Sequence, residues 1–244
     1  MHLQKIKFRN MLALYCRKII IIVVFCVPAI VNGQMNAQEY ESRSAINPYH
    51  FGIALSFNKS DYTISFSDQF SNHDSVMVVE STSGPGFNLG IISSLRLGKY
   101  FDLRFVPSLS FAEKTLNYTY RDESTSFQTL ESLYLDLPFD IKFKSAAYKD
   151  MKVYVLGGIK YAYDFSSNAE ARNADGQVRV LPNDLAVNCG FGFEFYFPFF
   201  IFSPEIKLSN GIINLHKTDP LLQESYVIDK LFSRTILFTI HIEG

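Results

Sequence analysis

Ionisable residues in this chain recur at alternate positions inside otherwise apolar runs. In LYLDLPFDIKFK (133–144), Asp136, Asp140 and Lys142 fall between Leu135, Leu137, Phe139, Ile141 and Phe143. The same spacing sets Arg96 between Leu95 and Leu97, Asp102 and Arg104 among Phe101, Leu103 and Phe105, and Lys160 between Ile159 and Tyr161. Glu194 alternates with Phe193 and Phe195, while Glu205 and Lys207 flank Ile206. A period of two places all of these on one face of extended strands and the apolar residues on the other. Asp164, His241 and Glu243 continue the same rows. Brought together, acids and bases in such balance would pair into a structural network, because buried charges must find partners. A path for a small solute or a proton is the sharper alternative. In a barrel of eight strands side chains fill the bore, which favours the structural network over a general pore.

Other chemistries find less support. A hydrolytic site would need Ser, His and an acid converging at one depth. His241 and His50 lie on polar rows, but nothing in the sequence sets a Ser beside either. The five His are scattered, with no CxxC or HxxxH spacing for a metal. GFGFEF (190–195) alternates Gly with Phe as a packed strand does, unlike a phosphate loop. NKS (58–60) and NYT (117–119) match a glycosylation pattern that short sequences often meet by chance. The expectation is a protein that is not an enzyme and carries no cofactor.

The elements that must position the charges are read from the apolar rows. They begin at Phe51, Phe87, Phe101, Leu133, Val153, Leu185, Phe200 and Ile236, and no segment after residue 33 shows a convincing helical period. Links between them alternate: long near 59–85, where Tyr62, Ile64 and Phe66 are expected to extend the first strand, short at 98–100, long near 121–129, short at 146–151, long at 166–183, tight around Pro198, and long at 211–232. Tight turns on one side and extended loops on the other predict an all-β, eight-stranded antiparallel up-and-down transmembrane β-barrel. Its apolar rows, rich in Phe and Leu, suit hydrocarbon. The opposite rows hold small residues such as Gly52, Ala54, Ser56, Asn188, Gly190 and Gly192, which suit a narrow interior. The odd-numbered row of 133–143 is therefore assigned to lipid, with Tyr161, Tyr163 and Phe165 at its interface. Pro107, Pro138 and Pro204 each remove a ladder donor, which predicts bulges or positions near the rim.

The start of the chain has a different character. Lys5, Lys7, Arg9, Arg17 and Lys18 precede an apolar run from Ile19 to Val31, followed by Gly33. That arrangement predicts a signal peptide over 1–33, then a periplasmic N-terminal segment over 34–48 and the outer-membrane barrel over 49–244. Removing the leader takes 23 basic residues to 18 against 24 acidic ones, a balance that argues against a nucleic-acid partner. Cys16 and Cys26 leave with it, so Cys189 remains without an internal disulfide partner. An even strand count predicts both mature termini in the periplasm and the long loops outside. Loop residues Asp61, Tyr62, His73, Asp74, Tyr120, Arg121 and Asp122 are candidate contacts for partners, or ordinary solvated positions.

GPGFNLGIISSLRLGKYFDLRFVPSLSFAEKTLNYTY (84–120) resembles the central signature of the PorT family, also called SprT, an outer-membrane barrel of the type IX secretion and gliding machinery in Bacteroidota. VYVLGGIKYAYDFSS (153–167) and FSPEIKLSNGIINL (202–215) are similar to its later strands, and the resemblance extends over roughly 48–243. It implies an integral outer-membrane component, without a catalytic motif, needed for export of cargo bearing C-terminal sorting domains. Other type IX components are then its implied partners, beside outer-membrane lipid. A generic surface barrel with an adhesive or structural role is the competing expectation.

Overall fold

The computed structural model describes residues 48–66, 76–120, 125–148, 150–167, 179–217 and 228–244. The proposed leader and most of the segment after it lie outside the described residues, as do His73, Asp74, Arg121 and Asp122. Among the described residues eleven strands run in order: β1 (Tyr49–Phe66), β2 (Val76–Arg96), β3 (Phe101–Phe105), β4 (Ser108–Tyr120), β5 (Thr125–Lys144), β6 (Met151–Asp164), β7 (Arg179–Val180), β8 (Asn183–Tyr196), β9 (Ile201–Gly211), β10 (His216–Lys217) and β11 (Ile228–Glu243). β7 and β10 pair only with each other. The other nine form one antiparallel sheet in which β1 bonds both β2 and β11, so the sheet closes. β3 and β4 occupy one place in the ring, separated at Val106 and Pro107, and the barrel therefore has eight staves.

Register fixes its size. From Ser60 the partners run through Thr235, Ser209, Asn188, Gly158, Asp140, Arg104 and Ser94 to His50, ten residues from the start on the same strand. With a rise of about 3.3 Å per residue and strands about 4.8 Å apart, that stagger tilts the strands by roughly 41° and gives a backbone radius of about 8 Å. Such a bore holds side chains and little else.

Which face meets which medium is plain from exposure. On β5, Tyr134, Asp136, Pro138, Asp140, Lys142 and Lys144 are buried, while Phe139 and Ile141 are exposed. Every other stave repeats this inverted pattern: Phe51, Ile53, Leu55 and Phe57 face outward from β1, and Ile236, Phe238 and Ile242 from β11. The outward rows turn polar at Lys59, Glu113, Glu131, Asn183, Asn210 and Arg234, all toward the loop end. From Phe143 to Leu133 the apolar row spans ten residues, about 25 Å along the barrel axis, which matches the hydrocarbon band of an outer membrane. Tyr161, Tyr163 and Phe165 lie at the loop-side margin of that band and Cys189 faces outward within it. Phe197, Phe199 and Phe200 line the turn-side margin.

Three expectations need correction. The long links near 59–85 and 121–129 are mostly strand, because β1, β2, β4 and β5 run on past the apolar band. Above the band both faces of a strand can be polar, so its alternation vanishes. Only residues 121–124 separate β4 from β5 in the chain. Tyr62 is not a loop residue: it is buried inside β1, and Asp61 points outward to bind Arg234. Pro138 lies in an uninterrupted strand away from the rim, with its β3–β4 side facing the Val106–Pro107 break. Pro107 occupies that break, and Pro204 sits where the β8–β9 register lapses between Gly192 and Phe195.

If the apolar band is assigned correctly, Phe139→Arg should cost about 2–4 kcal/mol of folding free energy in vesicles. Thr129→Arg, ten residues up the same strand, should cost close to nothing. Urea unfolding of both variants in lipid bilayers measures the difference, and equal costs would refute the boundary.

Candidate functional site, the lumen charge network

The inward rows carry their charges into a low-dielectric bore, where each must be matched. Arg104, fully buried on β3, extends one nitrogen to Glu205 Oε2 at 2.9 Å and the other to Glu243 Oε1 at 2.6 Å. The Tyr154 hydroxyl donates to the same Glu205 oxygen at 2.8 Å, and His241 Nε2 approaches it at 3.3 Å. Lys207 lies 3.3 Å from the other Glu205 oxygen and 2.7 Å from Asp140 Oδ2. Asn188 donates to Asp140 Oδ1 at 3.0 Å. Glu205, on the central run of β9, is thus the hub of the network.

A second cluster fills the turn-side end. Lys142 pairs with Glu194, Lys144 with Asp102 at 2.5 Å, and Lys142 also lies 3.7 Å from Asp102. Lys142 Nζ stands 4.6 Å from the Tyr154 ring centroid, and Tyr196 donates to Glu194 at 2.7 Å. Glycines make room for these side chains. A Cβ on Gly192 would fall on the Tyr154 hydroxyl, and one on Gly158 would strike Asp140. Arg96 is half-buried on the inward row of β2, opposite Asp102, and Lys160 reaches Asp136 at 3.5 Å.

Toward the loop end the lumen changes character. Asn58, Asn88, Ser110, Ser56 and Thr239 form a neutral band of hydrogen bonds, including Asn58 to Asn88 at 2.5 Å and Ser56 to Thr239 at 2.8 Å. Asn58 of the NKS match is therefore buried inside the barrel. A cavity of about 30 Å³ remains among Asn188, Ser209, His241, Asp136 and Lys160, and a second of about 10 Å³ lies beside Asp184, Lys114 and Tyr134. Each is the size of one or two waters. Above them Lys114 is held between the Tyr62 and Tyr134 rings, 4.4 and 4.8 Å from their centroids, and donates to the Tyr134 hydroxyl at 2.9 Å. Among the described residues the mouth is then narrowed by apolar packing of Tyr62, Leu116, Val180, Leu215, Ile228 and Leu231, with a cavity of about 130 Å³ beside it between Tyr62, Leu130, Asp164 and Val180. Val180 and Leu215 belong to the segments around the β7–β10 pair, which fold inward from two loops.

Sequence reading overlooked Tyr154, Tyr196, Lys152, Lys114 and Tyr62 as members of the lumen. Their even-numbered positions on β1, β4, β6 and β8 carried that signal.

Ser203 stands opposite His241 in register, but its Oγ has no hydrogen-bond partner among the described residues, nor has either ring nitrogen. His241 Nε2, the nitrogen a serine would need, faces Glu205 instead. No three His, Cys, Asp or Glu side chains among the described residues converge as a metal site.

Two expectations arise from this geometry. Arg104→Ala would strand Glu243 and leave Glu205 with Lys207 as its remaining lysine or arginine partner, at a cost of about 3–5 kcal/mol, whereas Arg104→Met with Glu205→Gln and Glu243→Gln should recover most of it. Urea midpoints in bilayers distinguish the two. At the mouth, burial holds the His216 imidazole below its usual value of 6.5, opposed by Asp229. The open segment therefore takes up a proton that the closed one refuses, and closure weakens as pH falls through about 6.5. Amide exchange at Leu181, which donates to Leu215 at 2.9 Å, should accelerate on acidification. In His216→Gln the rate should lose that pH dependence beyond the intrinsic chemistry.

Comparison with known proteins agrees with the barrel geometry. The family model described as outer membrane protein beta-barrel domain matches residues 36–217. No curated protein sequence matches the chain. Among solved structures, OprG of Pseudomonas aeruginosa shares 12% identity, covering 80% of this chain and 93% of that one at a TM-score of 0.47. Neisserial surface protein A shares 8%, with 79% and 96% covered and a TM-score of 0.42. Ail of Yersinia pestis shares 12%, with 81% and 100% covered and a TM-score of 0.36. A closed sheet with an apolar exterior, a paired polar interior and a family match over most of its length lead to one assignment: the chain belongs to the outer membrane protein beta-barrel domain family and is an integral outer-membrane protein.

Proposed function

We propose that this barrel is a non-conducting, non-enzymatic component of type IX secretion that supports export of cargo carrying C-terminal sorting domains. One observation carries the first half. The bore is occupied from the turn side by the Arg104–Glu205–Glu243 and Lys142–Glu194 pairs, and narrowed at the loop side by the Leu116, Leu215 and Leu231 packing. A protein with no open bore acts through its walls, loops and turns. The resemblance of 84–120, 153–167 and 202–215 to the PorT family supplies the secretion context. In this reading the turns and both mature termini face the periplasm, the loops face outward, and the partners are other components of the same machinery together with outer-membrane lipid.

A clean deletion in the native host, with plasmid complementation, tests the reading. Cargo with sorting domains should accumulate unprocessed in the periplasm and return to the medium on complementation. Normal export in the deletion strain would end the secretion role and leave an adhesive or structural surface barrel.

A further inference from the structure

The stretch of sheet that rises beyond the apolar band has an outward face with a composition of its own. Three rows lie in register across β2, β4 and β5. Glu113 stands opposite Glu131; above them Thr82, Thr115 and Thr129 align; above those come Glu80, Asn117 and Phe127. The Thr115 and Thr129 hydroxyls lie 3.4 Å apart, and Asn117 donates to Thr82 at 2.7 Å, so the hydroxyls and the amide are held as a flat grid. Asn117 of the NYT match is thus engaged in the grid. Phe127 is 76% exposed at its upper edge. An aromatic face beside fixed hydroxyls and an amide is the chemistry that takes a sugar: the ring packs the C–H face of a pyranose while the polar groups bond its hydroxyls.

Position and charge narrow the partner. The face continues from the lipid-facing row of Phe87, Phe111 and Leu133, in one register along β4 and β5 and across a register shift in β2 between Ser83 and Gly86. Each row is about 5 Å higher than the last, which puts the threonines roughly 10 Å and Phe127 roughly 15 Å above the hydrocarbon. That is the level of head-group sugars. Among its described residues the face bears three carboxylates and no cation, so it repels phosphate and sulfate and accepts neutral sugar. We infer that the outward face of β2, β4 and β5 docks the neutral saccharide portion of the glycolipid in the outer leaflet of its own membrane. This rests on the loops-outward placement proposed above.

The chain contains no Trp, so Phe127→Trp supplies a single fluorescent reporter on the face. The barrel in bilayer nanodiscs would be titrated with the dephosphorylated core oligosaccharide released from the host's own glycolipid. A saturable emission shift is expected, with affinity about fivefold weaker when Asn117→Ala is added and unfolding midpoints unchanged. No saturable shift, a response only to phosphorylated glycolipid, or a shift that follows barrel concentration alone and so marks a second copy would each overturn the docking. Labelling of Phe127→Cys in a Cys189→Ser background with an impermeant maleimide on intact cells tests placement separately. No labelling until lysis would overturn the loops-outward reading and the docking with it, whereas labelling without saccharide binding would overturn the docking alone.

Discussion

Inside hydrocarbon a peptide N–H or C=O has no water to bond, and most of this structure answers that one constraint. A sheet satisfies it only by closing on itself, and β1 does so by pairing with β11 from Gly52 to Phe66. Closure with this stagger sets the radius, and the radius sets what the interior can contain. Glycine and serine on the inward rows are then consequences of geometry. Gly158 and Gly192 are small because Asp140 and Tyr154 need the space. The Phe-rich exterior follows from the same closure, since the outward rows have lipid as their only neighbour.

An inside-out protein must solve its electrostatics in the place where water is scarcest. Here the charges are sorted along the axis. Arg104, Glu205, Glu243, Lys142 and Glu194 are packed in the turn-side half, hydroxyls and amides occupy the middle, and a lysine between two tyrosines lies beneath an apolar cluster. Removing any one charge strands another, so the network ties β3, β5, β8, β9 and β11 together across the bore. This is cross-bracing in a chain that has no disulfide among its described residues, where Cys189 is free. Toward the loops the described contacts are fewer, Ser233 to Asp184 and Lys114 to Tyr134, and apolar packing around Leu116 and Leu231 adds to them.

Much of the architecture was legible in the period-two rows, because lipid on one side and a crowded bore on the other enforce strict alternation. Asp136, Asp140, Lys142, Glu194 and Glu205 could be assigned inward from that alone. Legibility ended where the enforcing medium ended. Past Lys59 and Glu113 both faces of the sheet can be polar, so the extensions of β2, β4 and β5 read as loop, and only Tyr62, Ile64 and Phe66 betrayed that of β1. The pairings within the network were equally hidden. Arg104 meets Glu243 across 139 positions of sequence, a contact set by closure and stagger and by nothing local. Tyr154 stood in plain alternation, yet a tyrosine fits both sides of the wall and its type does not tell which.

The prolines show how the wall tolerates defects. Two separated prolines would break the hydrogen-bond ladder at two places in lipid. Pro107 and Pro138 instead share one, because the strand that lacks a donor at Pro138 faces the stave already interrupted at Val106 and Pro107. On the far side of the break, Ile91 donates to the Pro107 carbonyl at 3.0 Å, so the gap does not spread to β2. Val106 and Pro138 also line the cavity of about 30 Å³ in the lumen. Backbone groups at the gap thus have a polar, water-sized space behind them as well as lipid in front. A ladder defect is costly against hydrocarbon alone, and placing it over that space gives its polar groups somewhere to bond. The same fold that excludes water from the outside of the wall reserves room for it at the point where the wall is thinnest in hydrogen bonds.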